Sequence, residues 1–331
     1  MAVSAKVFSP KEWKVALISD ATNAGSTGIG STMLQLDVDS IGMPSLNPNQ
    51  VLDVRSGVGR TLKDEDFFQD NILRVSEISL AGTLHSDAGH KQLLQNITNN
   101  TSSEDGIVAS SHNGTDQRYG AGVTNNCSSL TLVMQPSDVT NQQGLEFFGC
   151  LVTSFAISAD ANTEGGRYKF SATLQTGLKP DLASTATPTI TPYLNTDIPK
   201  LSNASGIRAM GKEIVLNSFT STIEHPAVFS GFTSSGYEVV GRGAEISVNT
   251  EAQVKYDANT KTMINDYDVQ TGANTSDSFV IINNNAFGIN IDNAVYTEVA
   301  LSEGDIMMLD IALKSVDNGT NPLITVDVTS G

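Results

Sequence analysis

The strongest constraint on this chain is self-similarity at long range. Residues 84–97, LHSDAGHKQLLQNI, lie over residues 254–267, VKYDANTKTMINDY, at a spacing of 170. Asp87, Ala88 and Lys91 recur as Asp257, Ala258 and Lys261, and the apolar triplet Leu93, Leu94, Ile97 recurs as Met263, Ile264, Tyr267. That spacing makes one face of a short helix. Ser86 or Asp87 is placed to cap its start, where Asp also suits the positive end of the helix dipole.

The flanks match in the same order. Upstream, TMLQLDVDSIGMP lies over IVLNSFTSTIEHP at a spacing of 182, with Leu34 on Leu216 and Pro44 on Pro226. Downstream, LVTSFAISAD lies over VYTEVALSEG, with Thr153 on Thr297, Ala156 on Ala300 and Ser158 on Ser302, and FSATL then lies over LDIAL. Blocks that keep their order imply a tandem duplication, and the shrinking spacing gives the first copy the longer loops.

The repeated unit is built mostly of strands. TMLQLDVDSI alternates Leu34, Leu36, Val38 against Gln35, Asp37, Asp39, the pattern of a half-buried strand. Charged residues make up only 17% of the chain, and Asn, Thr, Ser, Gly and Asp carry its polarity. That mix favours strands and turns over long surface helices. The fold class expected is mainly β: two tandem antiparallel β-sandwich or barrel-like domains, each with a short flanking α-helix. The first spans 1–178, with an N-terminal arm and a long loop at 42–71, and the second spans 206–331. Between them the proline- and threonine-rich residues 179–205 read as an extended linker.

No catalytic constellation emerges. His85 and His90 give way to Lys255 and Thr260 in the second copy and read as surface positions, while His112 and His225 sit in loops without ligand spacing. GSTGIGST (25–32) lacks the Lys of a phosphate loop and precedes a strand, so it reads as a connector. DANTEGG (160–166) starts like a calcium loop, but the twelfth position would be Ser171 and the flanks are strands; a hairpin turn explains it directly. The expectation is a non-enzyme with no metal and no cofactor.

A net charge of −17 argues against a protein that grips nucleic acid through phosphates. Cys127 and Cys150 form no disulfide framework. No signal peptide or membrane segment is expected, so the Asn-x-Ser/Thr triplets carry no glycan and the chain is made in a reducing cytoplasm. In the long loop, LKDEDFFQD sets Asp64, Glu65 and Asp66 beside Phe67 and Phe68. Two adjacent phenylalanines in a polar loop either tuck onto their own domain or dock on a neighbouring subunit.

In MLQLDVDSIGMPSLNPNQVLDVRSG, SEISLAGTLHSDAGHKQLLQNI and CLVTSFAISADANTEGGRYKFSATLQTG the chain resembles the major tail tube proteins of long-tailed bacteriophages. The resemblance covers the first copy well and the second more loosely. It implies two packed antiparallel sheets with a flanking helix, and rings stacked into a hollow tube through which double-stranded DNA passes without specific binding. A duplicated domain implies trimeric, pseudo-hexameric rings. It further implies a virion location in the phage tail and contacts with other tail proteins. Residues 42–71, with Asp64, Glu65, Asp66, Phe67 and Phe68, become candidates for contact with the adjacent ring, and 225–241 the shorter counterpart loop. Asp37 and Asp39, on the polar face of their strand, become candidates for an acidic lumen. The alternative is a two-domain β-sandwich adhesin or virion decoration protein that binds surface glycans. Trp13 is the single tryptophan and aromatics are 6% of the chain, which weakens that alternative.

Overall fold

A computed structural model describes residues 12–20, 32–42, 49–52, 67–70, 76–98, 106–109, 129–138, 143–178, 180–194, 198–233, 236–242, 245–268, 272–274, 276–283, 287–303, 306–317 and 322–328. These residues are mainly β. The chain opens with β1 (Trp13–Asp20), β2 (Thr32–Leu36), β3 (Val38–Gly42), β4 (Asn49–Leu52), β5 (Phe67–Asp70) and β6 (Ser76–Thr83). Helix α1 (Ala88–Thr98) leads to β7 (Gly106–Ala109), β8 (Ser129–Pro136), β9 (Gly144–Asp160) and β10 (Lys169–Thr176). Two short strands, β11 (Asp181–Ser184) and β12 (Thr189–Thr191), follow. Then come β13 (Ala204–Ala209), β14 (Lys212–Glu213), β15 (Leu216–Glu224), β16 (Ala227–Thr233), β17 (Gly236–Arg242) and β18 (Ser247–Lys255). After α2 (Met263–Asp268) the chain ends with β19 (Phe279–Asn283), β20 (Phe287–Ile291), β21 (Ala294–Ser302), β22 (Met308–Ser315) and β23 (Ile324–Val328).

Eight of these strands run side by side, each antiparallel to the next, in the order β3-β6-β10-β9-β15-β18-β22-β21. Strand β9 is long enough to serve two sheets. Its first half pairs with β8 and β11, and its second half with β10 and β15. Through β8 it reaches β1, β2 and β12. A separate sheet has the order β14-β13-β19-β20-β23-β7.

Alternation appears in several strands but not where TMLQLDVDSI suggested it. That stretch divides at Asp37 into β2, which pairs with β1, and β3, which pairs with β6, and in β2 Met33 is buried while Leu34 is only half-buried. In β6 Ser76, Ile78, Leu80 and Gly82 are buried while Glu77 and Ser79 are exposed and Ala81 is half-buried. In β18 Val248, Thr250, Ala252 and Val254 are buried while Asn249 and Glu251 are exposed. The inward side chains, among them Leu80, Phe155, Ile157, Phe219, Val254 and Ile311, form one apolar cluster that runs the length of the eight-strand sheet. Gly82 lies where a Cβ would stand 1.9 Å from the Asp37 carbonyl, so only glycine allows β3 to approach there.

Helix α1 packs Leu93, Leu94 and Ile97 into this cluster. Asp87 caps it by accepting from the His90 backbone N–H at 2.9 Å. At α2, Asp257 accepts from the Thr260 N–H at 3.2 Å in the same way, Met263 is buried, and Ile264 and Tyr267 pack at the cluster's border. Residues 161–168 link β9 to β10 as the expected hairpin connection, with Gly165 and Gly166 at φ 68° and 70°. The Asp160 carboxylate accepts from the Asn162 N–H there. Among the described residues no cluster of three metal-ligating side chains exists, and no helix is long and apolar enough to cross a membrane.

Candidate assembly surfaces

The eight-strand sheet contains one local pattern twice. Lys169 to Gln175 of β10 face β9, and Met308 to Lys314 of β22 face β21, in registers that match residue for residue. Lys169 opposes Ser158 and Met308 opposes Ser302; Leu174 opposes Val152 and Leu313 opposes Tyr296. In each hairpin one threonine, Thr153 or Thr297, is bulged out of the ladder. On the other side, Lys169 opposes Thr83 and Met308 opposes Lys255. Beyond these, Val38 opposes Gly82 with Asp39 bulged, and Leu216 opposes Val254 with Asn217 bulged.

Backbone bonds repeat too. The Thr83 N–H donates to Asp37 O and the Leu84 N–H to Tyr168 O; the Lys255 N–H donates to Val215 O and the Tyr256 N–H to Met307 O. The sheet therefore reads β3-β6-β10-β9, then β15-β18-β22-β21, with matching order and register. Its middle is the β9–β15 pairing, in which Phe219 opposes Ala159 and Ile223 opposes Phe155.

This arrangement leaves β3 at one edge and β21 at the other, each with one strand partner among the described residues. Ile157 and Phe155 of β9 are fully buried against β15. Their counterparts on the β21 edge are uncovered: Leu301 is 48% exposed and Val299 is only partly buried. An unpaired edge with apolar side chains facing inward is a template for another strand.

The face of this sheet away from the cluster is small and polar. It carries Asp39, Glu77, Asp160, Glu224, Glu251, Glu298 and Asp310 among Ser, Thr, Ala and Gln side chains, against Lys169, Lys255 and Lys314. Seven carboxylates against three ammonium groups make the face acidic. Asp39 is exposed and accepts from Lys169 Nζ at 3.1 Å, which Glu164 also holds at 2.7 Å. Asp37 is placed differently. It is one quarter exposed and accepts from His85 Nε2 at 2.9 Å.

Both histidines of the α1 region are buried, against the expectation of surface positions. His85 Nδ1 lies 3.1 Å from Leu194 O while Nε2 meets Asp37. Both neighbours are acceptors, so the site favours the imidazolium form, in which both ring nitrogens donate. Burial opposes that charge, but the bonds to Asp37 and Leu194 outweigh it and raise the His85 pKa. The bond from His85 in turn holds Asp37 below the usual carboxylate range, with the Tyr193 hydroxyl adding to it. His90 stacks on His85 at 5.3 Å and donates Nδ1–H to Asp87 at 2.8 Å. Thr260, the residue in the place of His90, is buried as well and bonds to Asp257. The position changes between halves because two different side chains satisfy the same aspartate, not because it faces water.

His225, expected in a loop, is buried and donates Nδ1–H to Ile97 O at the end of α1. Beside it the Arg242 guanidinium, also buried, donates to His225 O, Asn96 O, Asn96 Oδ1 and Val152 O. Its charge meets the negative end of the helix. This knot lies at the base of the paired strands β16 and β17, which occupy 227–233 and 236–242 of the stretch expected as a loop at 225–241. Nothing in the sequence pattern signalled Arg242.

In the loop 42–71, β4 and β5 form a two-stranded ribbon in which Phe67 opposes Leu52 and Phe68 opposes Val51. Asp64, Glu65 and Asp66 lie outside the described residues, as do His112, Cys127 and most of GSTGIGST. Cys150 is a free, buried thiol that burial pushes up to about 12. Of residues 179–205, expected as an extended linker, the described ones pack on the first-half sheet: β12 runs parallel to β2, Tyr193 packs on His85 at 4.7 Å, and Leu201 is buried. No protein-family model matches the chain, and no curated protein matches it.

Proposed function

We propose that this protein is a structural subunit of a phage tail tube, built of two tandem tube domains, each with a flanking helix, and closing into rings edge to edge. The β9–β15 pairing carries the reading. β21 is the counterpart of β9 and β3 is the counterpart of β15, so β21 of one copy meets β3 of the next as β9 meets β15 within the chain. Such a contact is head to tail and generates a ring when its rotation closes. It also removes both sheet edges. Three copies per ring agree with the tail tube resemblance.

The acidic face then lines the lumen, with Asp39 and the carboxylates around it repelling DNA phosphates so that the genome slides. The β4–β5 ribbon, with Phe67 and Phe68, together with Asp64, Glu65 and Asp66, is the candidate for contact with the adjacent ring. Other tail proteins would cap the stack. The test is electron microscopy of concentrated protein. Three-fold rings or hollow tubes support the reading, and a strictly monomeric species at every concentration contradicts it.

A further inference from the structure

Three side chains at the β21 end of the eight-strand sheet lack the cover that their counterparts have. Val299, Leu301 and Met307 stand where Phe155, Ile157 and Tyr168 stand in the first half. The place of Met307 follows from the backbone: its carbonyl accepts from the Tyr256 N–H as the Tyr168 carbonyl accepts from the Leu84 N–H. Met307 lies two residues before Leu309, which is buried in the cluster, so alternation turns both toward the inward face. Phe155, Ile157 and Tyr168 are fully buried, whereas Leu301 is 48% and Met307 52% exposed and Val299 is only partly buried.

The first half shows what a side chain at the Met307 place meets. The Tyr168 ring packs edge-on against Phe219 of β15 and Phe287 of β20, so the second half forms its socket. Leu216 on β15 and Ile289 on β20 continue the two walls. Each wall has a counterpart in the first half. Ile41 opposes Leu80 as Phe219 opposes Ala252, and Val38 stands three residues before Ile41 as Leu216 stands before Phe219. Leu145 opposes Met134 as Ile289 opposes Ile281. Those pairs correspond because Met134 opposes Val15 and Ile281 opposes Ile207. Val15 in turn faces Leu36, and Ile207 accepts from the Ile214 N–H, two residues before Val38 and Leu216 respectively. Leu216, Phe219 and Ile289 are buried, yet Val38, Ile41 and Leu145 are only partly buried. The β21 side therefore has a plug without a socket, and the β3 side has a socket without a plug.

We infer that Met307 of one copy plugs the socket walled by Val38, Ile41 and Leu145 of the next copy, with Leu301 and Val299 continuing the contact along the strand. An unbranched thioether fills an irregular gap where tyrosine fits the other socket. Trp13, the single tryptophan, packs at the border of the same cluster, on the inward face with Val15 and Leu17. It opposes Pro136, two residues from the Met134 that backs Leu145, which places it at the socket's rim. Plug and socket are different surfaces of one molecule, so the contact is head to tail. The inference rests on the ring reading and gives the strand joint an apolar core.

Electron microscopy of the unaltered protein establishes whether rings form, and three further measurements probe the socket. Trp13 emission should move to the blue as rings assemble, with weaker quenching by acrylamide. Met307→Ala should raise the half-assembly concentration by about tenfold or more, the effect of withdrawing one buried methionine side chain. Met307→Leu should assemble as the unaltered protein does, and Ile306→Ala, at the exposed neighbour, should change nothing. Denaturant titration of dilute Met307→Ala should match the unaltered protein, and a loss there would place Met307 in the subunit's own core instead. In a Cys127→Ser background, Met307→Cys with Ile41→Cys, oxidised with copper–phenanthroline in air, should give covalent dimers and trimers on denaturing gels. Rings whose half-assembly concentration ignores Met307→Ala, and whose cysteine pair does not cross-link, would overturn the socket and leave the ring standing. Absence of rings at every concentration would remove both.

Discussion

Thr153 and Thr297 occupy the same place in two hairpins: each is the residue skipped where the register shifts. A bulge is a local device that re-aims a strand. Finding it at matched positions, with matched pairs on either side, ties β9 to β21 more tightly than their few shared residues do. Different burial of matched side chains then becomes the measurable consequence.

Phe155 and Val299 are such a pair. Phe155→Ala should cost the free subunit about 3–5 kcal/mol, the range for emptying a buried aromatic site. Val299→Ala should cost the free subunit less than about 1 kcal/mol and should weaken assembly. Denaturant titration of dilute protein, set beside sedimentation of concentrated protein, separates the two effects. Equal costs in the free subunit would contradict the uncovered edge.

Leu301→Lys places a charge on the inward face of that edge, a known way of blocking strand addition. The free subunit should lose less than about 1 kcal/mol and rings should be lost. Leu182→Lys, at another exposed apolar residue, serves as the control and should leave rings intact.

The His85–Asp37 pair makes stability depend on pH in a defined direction. His85 has a raised pKa when folded, so its contribution is fully present below the unfolded value of about 6.5 and is lost as pH rises through the folded value. Asp37 has a lowered pKa, so its contribution is present above about 3.9 and is lost as pH falls through its folded value. The pair therefore contributes most in mildly acidic solution. Asp37→Asn should remove about 1–3 kcal/mol near pH 5.5 and less at pH 9, and should lower the His85 pKa read by NMR. A loss that does not vary with pH would show that the pair is not charged.

Arg242→Met should strip donors from Val152 O, His225 O and Asn96 and cost about 3 kcal/mol or more. Hydrogen exchange should then rise in the last turn of α1 and at the base of the β16–β17 hairpin. Unchanged protection there would mean that the knot does not anchor the hairpin.

On the acidic face, Glu251→Lys combined with Glu298→Lys should leave folding intact and make assembled protein retain double-stranded DNA at low salt, with retention falling as salt rises. Retention by the unaltered protein would argue against a repelling lumen.

The mainly β character, the Asp87 and Asp257 caps and the Thr153–Thr297 match were legible in the chain, because each rests on local pattern. The alternation of TMLQLDVDSI misled, since the chain changes sheets at Asp37. The upstream alignment was not legible either. It set Leu34 on Leu216, whereas the sheet registers set Val38 there, four residues along. Alternation has a period of two, so an even slip keeps every apolar residue on the same face and leaves no trace in the pattern. The burial of His85 was hidden for another reason. Its cover, Tyr193 and Leu194, comes from more than a hundred residues away, in a stretch that reads only as extended.

The most direct test of the account is an electron-microscopy reconstruction of the assembled protein in which strands are resolved. The account predicts a three-fold ring in which β21 of each copy pairs antiparallel with β3 of the next, Glu303 opposite Ile41, and Asp39 and Glu251 face the channel. A ring joined through other surfaces, with β3 and β21 left open to solvent, would contradict it.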